Sequence, residues 1–478
     1  MPQRLIALAT SALLIGGLFV GAPARVRAVA DTVYVADVAS AGAGGSCSAP
    51  DYATGVLDDD EAIQDAIDAV DASPSLTTVY LCAGTYNITT TLLPSEDIIL
   101  KGADATTTIL SGGATWADGA WVSGGIRILT SEDAVTIDNL TFTRGTAPST
   151  GSSGGGAIAV DATVGITSSI FTQNKGDYLG GAVYSYYNPL TVTDSTFTEN
   201  TASYGGAINS WETVNVTNST FNDNQAIGGG AVRGESVVIS SSSFVGNEAS
   251  DNGGAIRAIV SATVANSTFT SNASLEGGAI FSQGEVAITA STFTNNEAND
   301  GGAIYAAVTV TATSSTFTNN GATNGGAIHS AVTATVTNST FTNNDAVVGG
   351  AIVTEGDVNV TNSTFTKNDA TEYGGAIYTG TGTVVRSRFT QNTAGGRGGA
   401  VLLALPNGVD LLQLRGNTFI RNTALAGGAI TLGPCIVPSR SQAARVQRAN
   451  RFSGNRATQQ RRTNNIERWI ERGEACPR

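Results

Sequence analysis

Histidine and cysteine, the side chains that most often bind transition metals, are scarce in this 478-residue sequence. The chain has one histidine, His329, and four cysteines, none of which form a Cys-x-x-Cys pair. Structural zinc sites usually need four such ligands at defined spacings. The sequence therefore predicts no metal site and no cofactor.

Long apolar runs are also rare, and only the first one approaches the length that spans a bilayer. Arg4, the run Leu5–Ala22 and the small-x-small sequence Ala28–Ala30 are typical of a secretory signal peptide. An uncleaved membrane anchor is the alternative. Because no cysteine follows the run, we do not expect a lipoprotein anchor. The pattern predicts a signal peptide at residues 1–30 and no transmembrane segment after its cleavage.

Charged residues make up only 13% of the chain, and the two signs are unevenly distributed. Of the formal charge of −14, residues 1–30 contribute +3 and residues 436–478 contribute +7, which leaves −24 for residues 31–435. A strongly acidic surface repels nucleic acid and anionic polysaccharide unless cations intervene. We therefore expect no nucleic-acid partner, and we interpret the basic C-terminal segment as a solvated tail.

What the sequence does contain is a repeat. The tripeptide Gly-Gly-Ala, followed by Ile or Val, recurs twelve times between Gly155 and Ile430, mostly every 24 residues. Each copy precedes a Phe-x-x-Asn sequence. Its phenylalanines are Phe171, Phe197, Phe221, Phe244, Phe269, Phe293, Phe317, Phe341, Phe365, Phe389, Phe419 and Phe452. A fixed period of this size is typical of a solenoid, in which each unit packs only on its neighbours.

One repeat, residues 301–324, is rich in Thr, Val and Ile, alternates with period two and lacks helical spacing. It predicts three short strands at about Ala303–Ala306, Val308–Thr313 and Thr316–Asn319. The fold class that follows is all-β: a right-handed parallel β-helix with short capping helices at its N- and C-terminal ends.

The repeat also predicts bends between its strands. Val or Ile recurs seven and five residues before the phenylalanine in several coils, as Val214 and Val216 do before Phe221. These positions have the opposite parity to the phenylalanine, so both sets face inward only if the chain bends between them. The residue three before the phenylalanine is often polar, and we predict that it forms a ladder of stacked side chains between coils. Its members are Asn139, Asp194, Asn218, Asn266, Asn338 and Asn362.

The two ends depart from the repeat. Asp58, followed by Glu61 and an amphipathic run, predicts a helix with a capping-box-like start that closes the N-terminal end. A calcium site is the alternative for these acids. Near the other end, Ile466, Trp469 and Ile470 have helical spacing and predict a second closing helix. The predicted organisation is a signal peptide (1–30), an N-terminal cap with the first coils (31–110), the repeats (111–430) and a C-terminal coil with a basic tail (431–478).

The four cysteines lie in these end segments. Four cysteines allow three disulfide connectivities. Because the ends of a solenoid lie far apart, we predict the pairs Cys47–Cys82 and Cys435–Cys476, each stabilising one end.

The alternation of Gly-Gly-Ala-[Ile/Val] with Phe-x-x-Asn over about residues 155–455 resembles the repeats of the chlamydial polymorphic membrane proteins. The segment Ala62–Gly102 resembles the first turns of the pectin-lyase-like superfamily. The resemblance implies an exported, cell-surface or extracellular protein with a role in adhesion. The chlamydial proteins end in an outer-membrane barrel, and this sequence ends soon after its last repeat. We therefore expect a secreted or surface protein rather than one anchored in the outer membrane.

The pectin-lyase-like superfamily includes lyases, hydrolases, esterases and epimerases, so the resemblance also allows an enzyme. Glycoside hydrolysis generally needs two carboxylates at a defined separation. In the repeats the acids are scattered, and the Asp-Asp and Gly-His-Gly sequences of polygalacturonase-like members are missing. Arg233 and Arg257 lie in register, as a lyase base would, without a compact aspartate cluster. We therefore favour a non-catalytic protein and keep a polysaccharide lyase or glycoside hydrolase as the alternative.

One position of the repeat predicts binding. The residue directly after Gly-Gly-Ala-[Ile/Val] should face outward, because the Ile or Val faces inward. At this position lie Tyr184, Arg233, Arg257, Phe281, Tyr305 and Tyr378. An exposed row of rings and arginines suits a polysaccharide or a cell-surface partner. Stacking that only stabilises the sheet is the alternative. We expect a monomer.

Overall fold

A computed structural model describes residues 31–37, 45–54, 58–117, 120–123, 125–148, 154–404, 413–432, 440–458 and 466–468. The chain winds in coils, and equivalent strands of successive coils pair in parallel. For example, Phe293 lies opposite Phe317, and Thr292 lies opposite Thr316. The predicted parallel β-helix is confirmed. The predicted signal peptide, Cys435, Cys476, Trp469 and Ile470 lie outside the described residues.

Three parallel sheets form the walls of the β-helix. The first sheet holds the strands that carry the Gly-Gly-Ala-[Ile/Val] residues and the strands that follow them. These are Thr32–Ala36, Tyr52–Ala53, Thr78–Leu81, Ile98–Gly102, Leu129–Ser131, Val135–Asp138, Ile158–Val160, Val164–Thr167, Val183–Ser185, Leu190–Thr193, Ile208–Ser210, Val214–Thr217, Val232–Ser240, Ile256–Ala265, Ile280–Ser282, Glu285–Thr289, Ile304–Ala306, Thr309–Thr313, Ile328–Ser330, Thr333–Thr337, Ile352–Thr361, Ile377–Val385, Val401–Leu403, Gln413–Arg415, Ile430–Leu432 and Ile466–Arg468.

The second sheet carries the phenylalanines. Its strands are Gly84–Asn87, Thr108–Ser111, Thr141–Thr143, Ile170–Thr172, Thr196–Thr198, Thr220–Asn222, Ser243–Val245, Thr268–Thr270, Thr292–Thr294, Thr316–Thr318, Thr340–Thr342, Thr364–Thr366, Arg388–Thr390, Thr418–Ile420 and Arg451–Ser453.

The third sheet precedes each Gly-Gly pair, and the three-strand prediction missed it. It consists of Gly321–Asn324, Asp345–Val348, Asp369–Tyr373, Thr393–Arg397, Thr423–Ala426 and Arg456–Ala457, while Gln225–Gly228 and Glu248–Asn252 form a separate pair. Thr115–Ala117 and Ala120–Ser123 form an antiparallel hairpin.

The core is a continuous file of stacked rings. Successive phenylalanines from Phe142 to Phe452 have ring centroids 4.7–5.1 Å apart and nearly parallel planes. Phe142, which lies outside the counted repeats, begins the file. The Val and Ile residues on the opposite parity are buried in the same core. Both sets face inward because the chain bends between them, as predicted.

The bends are formed by left-handed residues, and the predicted polar ladder does not lie there. In the coil of Phe317, Ser314 and Asn319 have φ of 53° and 54°. Asn218 and Asn266, two members of the predicted ladder, are exposed at the equivalent bend. A left-handed residue turns its side chain toward solvent here, so the predicted ladder does not continue from coil to coil. Among its described members, one pair forms the predicted bond, in which Asn218 Nδ2 donates to Asp194 Oδ1.

Two buried ladders lie beside the bends instead. The asparagine of each Phe-x-x-Asn is fully buried. Asn296 Nδ2 donates to Asn320 Oδ1 of the next coil and to the Phe269 carbonyl of the preceding coil. The serine two residues before each phenylalanine from Phe171 to Phe389 accepts a backbone N–H, as Ser339 Oγ does from Ser315, and Asn417 and Asn450 take this position in the last two coils. These contacts satisfy backbone groups that the bends remove from the sheets.

The N-terminal end is closed as predicted. A helix, Asp59–Asp71, packs Ile63, Ile67 and Val70 into the core, and Cys47 is bonded to Cys82. Asp58 is the N-cap residue but makes no side-chain capping bond, so the capping-box prediction is wrong. The neighbouring acidic side chains form hydrogen bonds with other segments of the chain. For example, the Asp59 carboxylate accepts from the Asn87 N–H at 2.6 Å.

The C-terminal end differs from the prediction. Its helix is Arg440–Ala449, which buries Val446 against the core. Ile466–Arg468, predicted as helix, is a strand that pairs with Ile430–Leu432. The strand Ile430–Leu432 lies at the edge of the first sheet, and its N–H and C=O groups would have no partner if the next segment were a helix. The pairing strand supplies these partners, which explains the difference.

Candidate functional site

Two columns of side chains meet on one face of the β-helix. The strand column consists of the residues directly after Gly-Gly-Ala-[Ile/Val]. The turn column consists of the residues directly before each Gly-Gly. From the N-terminal side the turn column is Leu179, Tyr204, Gly228, Asn252, Glu276, Asp300, Asn324, Val348, Tyr373, Arg397 and Ala426.

The Gly-Gly turn brings the columns together. Gly205 has φ of 63°, and a Cβ on Gly206 would lie 2.0 Å from the Gly230 carbonyl oxygen, so only glycine fits. After this turn, each strand-column side chain contacts the turn column of the preceding coil. His329, for example, reaches Asp300, and Arg233 reaches Tyr204.

The strand column is therefore covered, and the prediction that it forms an exposed row is wrong. Tyr184 and Arg233 are each 8% exposed and Phe281 is 6% exposed. Arg257, Tyr305 and Tyr378 are half-buried. The reason is the turn column, which packs over it: the Tyr204 ring lies beside Arg233, and Asp300 lies beside His329.

The structure places the six predicted binding residues in three groups. Tyr184, Arg233 and Arg257 belong to one cluster. Phe281 and Tyr305 stack on each other, with centroids 5.4 Å apart. Tyr378 lies three coils beyond Tyr305 and takes no part in either group.

The first group is part of a larger aromatic–arginine cluster. We define it as Tyr178, Tyr184, Tyr186, Tyr187, Tyr204, Trp211, Arg233 and Arg257. The Arg233 guanidinium lies 4.4 Å from the Trp211 ring centroid, and both arginines lie within 5.6 Å of the Tyr204 ring. Trp211 Nε1 donates to the Tyr184 hydroxyl at 3.2 Å. These contacts hold the Trp211 ring in one orientation.

Three rings of the cluster remain open to solvent: Tyr178 is 49% exposed, Trp211 45% and Tyr187 66%. The pattern of one repeat position could not find them, because they lie in turns. A different signal was present in the sequence. Five of the twelve tyrosines fall between residues 178 and 204, with Trp211 close behind.

Burial controls the electrostatics of this cluster. It lowers the pKa of Arg233, and the neighbouring Arg257 lowers that pKa further. Burial also raises the pKa of Tyr184 to about 12. Among the described residues neither guanidinium forms an ion pair with a carboxylate. The cluster is therefore locally cationic on a chain that is acidic overall.

A second cluster begins one coil further along and is acidic. Glu276 and Asp300 are neighbours in the turn column. Asp300 Oδ1 accepts from Asn324 Nδ2 at 2.8 Å and lies 3.1 Å from His329 Nδ1. Burial, followed by Asp300 and Asp251, raises the pKa of Glu276. Burial lowers the pKa of His329 despite the opposing effect of Asp300, so the imidazole is neutral at pH 7.

Two family models match the chain. Residues 50–256 match the model described as rhamnogalacturonase A/epimerase, pectate lyase-like, and residues 233–394 match the right-handed β-helix region. Together with the coiled parallel sheets, these two partial matches support a place in the pectin-lyase-like superfamily of right-handed β-helices. The finer resemblance to chlamydial polymorphic membrane proteins stays a prediction.

Two solved structures are similar to the chain at low identity. The catalytic unit of a thermostable α-1,3-glucanase from Streptomyces thermodiastaticus is 14% identical with a TM-score of 0.39, and the match covers 84% of this chain and 66% of that one. The A-module of a mannuronan C-5 epimerase from Azotobacter vinelandii is 14% identical with a TM-score of 0.32, covering 83% of this chain and 94% of that one. No curated protein sequence matches the chain.

Two further features of the β-helix concern the residues that the structure describes. None of their helices is long and apolar enough to cross a membrane. No three of their His, Cys, Asp and Glu side chains are grouped to hold a metal ion.

The acidic cluster predicts a pH-dependent stability. The pKa of Glu276 is higher in the folded β-helix than its usual value of 4.5, so ionisation above pH 4.5 favours the unfolded chain. We expect Glu276→Gln to raise the unfolding temperature at pH 7, and the gain to shrink as the pH falls toward 4.5 and to be absent below about 4.5. Thermal unfolding from pH 3.5 to 8 measures this.

Glu235→Gln, at an exposed position outside the turn column, controls for the loss of one negative charge. A Glu276→Gln effect of the same size at every pH would contradict the expectation.

Proposed function

We propose that this β-helix is an exported interaction protein that binds a polysaccharide at the aromatic–arginine cluster. The supporting observation is the row of open rings, Tyr178, Trp211 and Tyr187, beside two arginines that have no carboxylate partner among the described residues. Exposed aromatic side chains that are held in place mark binding sites, because little conformational entropy is lost when a ligand packs on them.

The shape of the cluster favours an extended ligand. Its contacts run without a break from Tyr187 through Tyr186 and Tyr184 to Trp211, and then through Arg233 to Tyr204. A chain of sugar rings presents apolar faces and hydroxyl groups at regular intervals. Aromatic rings can pack on the faces, while the indole, phenol and guanidinium groups can bond the hydroxyls.

Export is part of the proposal and derives from the signal-peptide pattern of residues 1–30. The disulfide between Cys47 and Cys82 supports it, since such bonds persist in oxidising compartments. A secreted or cell-surface location would place the cluster in contact with extracellular or cell-wall glycans. An adhesive role would follow if the ligand belongs to another cell.

The ring of Trp211 provides the direct test. We expect Trp211→Ala to weaken polysaccharide binding about 30-fold, which corresponds to roughly 2 kcal/mol for the loss of a central aromatic contact. Affinity electrophoresis against a panel of neutral and acidic polysaccharides would identify the ligand and measure the loss. Folding would be checked by the unfolding temperature.

Tyr373→Ala is the matched control, because Tyr373 is a 39% exposed ring in the turn column, far from the aromatic–arginine cluster along the chain. Unchanged retention by folded Trp211→Ala protein would show that the rings do not bind the ligand.

A polysaccharide hydrolase or lyase is the second candidate, and the acidic cluster favours it. Glu276 has the raised pKa of a proton donor, and Asp300 beside it is oriented by Asn324 and His329. The same incubations should therefore be scored for new reducing ends and unsaturated products. Turnover that Glu276→Gln abolishes would favour the enzyme, whereas retention without products favours binding alone.

A further inference from the structure

Unsatisfied polar atoms gather in one place on the β-helix. Among the described residues, seven buried side-chain nitrogen or oxygen atoms have no hydrogen-bond partner, and four of the seven lie together. They are Asn209 Nδ2, Arg233 Nε, Arg257 Nε and Asn252 Oδ1. Asn209, Arg233 and Arg257 are consecutive members of the strand column. Buried polar groups normally have partners, so four orphans in adjoining coils indicate a ligand site.

Two of these four residues, Arg257 and Asn252, lie against a gap in the turn column. Where the neighbouring coils carry Tyr204 and Asn252, this coil carries Gly228. A Cβ on Gly228 would lie 2.9 Å from Arg257 Nη1 and 3.2 Å from Asn252 Oδ1. Gly228 lies within a strand and its φ is not positive, so the backbone does not require glycine. Its absent side chain leaves a notch onto which the guanidinium and the amide converge.

The charge at the notch calls for an anion. Arg233 and Arg257 are neighbours in the sheet register and repel each other. Arg233 Nη1 donates to Asn209 Oδ1 at 3.0 Å, which leaves its Nε–H without an acceptor. The nearby carboxylate of Asp251 accepts from Asn252 Nδ2 at 2.9 Å and forms no ion pair with either arginine. Two desolvated guanidinium groups are costly unless a negative group neutralises them.

We propose that Arg233, Arg257 and the Asn209 amide bind an oxyanion, a carboxylate or sulfate group, at the notch beside Gly228. Guanidinium N–H groups match the oxygens of such groups, and the bonds are strengthened by charge. Asn252 Oδ1 would accept a bond from a hydroxyl next to the anion. We assign the anion to a substituent of the bound glycan, and this assignment rests on the proposed function. The binding of the anion itself is independent of that function.

Anion-dependent thermal unfolding tests the site on the full-length protein. The midpoints are compared in sodium chloride, sodium sulfate and sodium glucuronate at equal ionic strength, with glucose as the neutral sugar. Sulfate also stabilises proteins in general, so the comparison between variants decides. We expect sulfate and glucuronate to raise the midpoint of the native protein by about 1–3 °C more than that of the Arg233→Gln/Arg257→Gln variant.

Gly228→Ala is the second variant, because it fills the notch and keeps both charges. It should lose the same anion-dependent shift, and it keeps the test valid if the arginine variant does not fold. The controls are Gly321→Ala, where a Cβ meets only Asp345 Oδ1 at 3.6 Å, and Arg415→Gln, which is exposed. Equal shifts in the native protein and both notch variants would overturn the proposal.

Measurements of glycan binding distinguish a failure of the oxyanion site from a failure of the proposed polysaccharide binding. Dextran, carboxymethyl-dextran and dextran sulfate share a backbone and differ in their anionic groups, so they join the polysaccharide panel. Loss of all glycan binding with a retained anion shift would keep the oxyanion site and remove the glycan as its source. Glycan binding that is identical in native and arginine-variant protein would keep the function and overturn the oxyanion site.

Discussion

Asn296→Ala will destabilise the β-helix by about 3–5 kcal/mol, because it leaves the buried Asn272 N–H without its acceptor, at a cost of roughly 1–3 kcal/mol, and removes three further hydrogen bonds of about 0.5–1.5 kcal/mol each. Asn296 Oδ1 accepts from the Asn272 N–H and Nδ2, and Asn296 Nδ2 donates to the Phe269 carbonyl and to Asn320. Urea unfolding followed by circular dichroism measures the loss.

Asn299→Ala is the control for this ladder. Asn299 lies three residues further along the same coil and is exposed, so its replacement should change stability by less than about 0.5 kcal/mol. Similar costs for the two substitutions would show that the buried amides do not stabilise the coil.

Phe317→Ala will cost about 3–5 kcal/mol, the usual loss for removing a fully buried ring from a packed core. The ring stacks between Phe293 at 5.0 Å and Phe341 at 4.7 Å, and the β-helix has no neighbouring layer that could collapse into the cavity. The midpoint of urea unfolding should fall accordingly, and hydrogen exchange should become faster in the adjacent coils, since each coil packs only on its neighbours.

Two comparisons calibrate that prediction. Phe317→Leu keeps most of the volume and should cost less than about 1.5 kcal/mol. Phe452→Ala removes the last, partly buried ring of the file, which has one neighbour at 5.1 Å, and should also cost less. Equal losses at Phe317 and Phe452 would contradict a file of cooperating rings.

The polar ladder shows how far the sequence could be read. The spacing of the repeat identified the bend before the phenylalanine and the inward-facing rings correctly. It placed the ladder three residues before the phenylalanine, where the backbone is left-handed and Asn218 is exposed. Asn224, the buried ladder member of that coil, is just as regular in sequence. Backbone handedness decided between the two, and composition did not reveal it.

The candidate site could be predicted from the repeat pattern even less completely than the ladder. Arg233 and Arg257 were chosen because they share a repeat position, and both belong to the cluster. The repeat position did not show that the turn column covers them, nor that Trp211 and Tyr204 lie on them. Both neighbours lie outside the strands of the repeat, Tyr204 directly before a Gly-Gly pair and Trp211 directly after the strand Ile208–Ser210, so the repeat pattern does not include them.

The sequence by itself determined the coil and the ring file, because a strict period places the same side chain in the same surroundings in every coil. It also determined the N-terminal disulfide, because the two ends of a solenoid lie far apart and their cysteines cannot pair with each other. Only the tertiary structure decided which side chains form a site. Asp300 and His329 are 29 residues apart in sequence. They are in contact because the Gly-Gly turn brings the residue before it in one coil next to the strand column of the following coil. Contacts of that kind depend on the path of the backbone, which a pattern of side chains within one repeat does not specify.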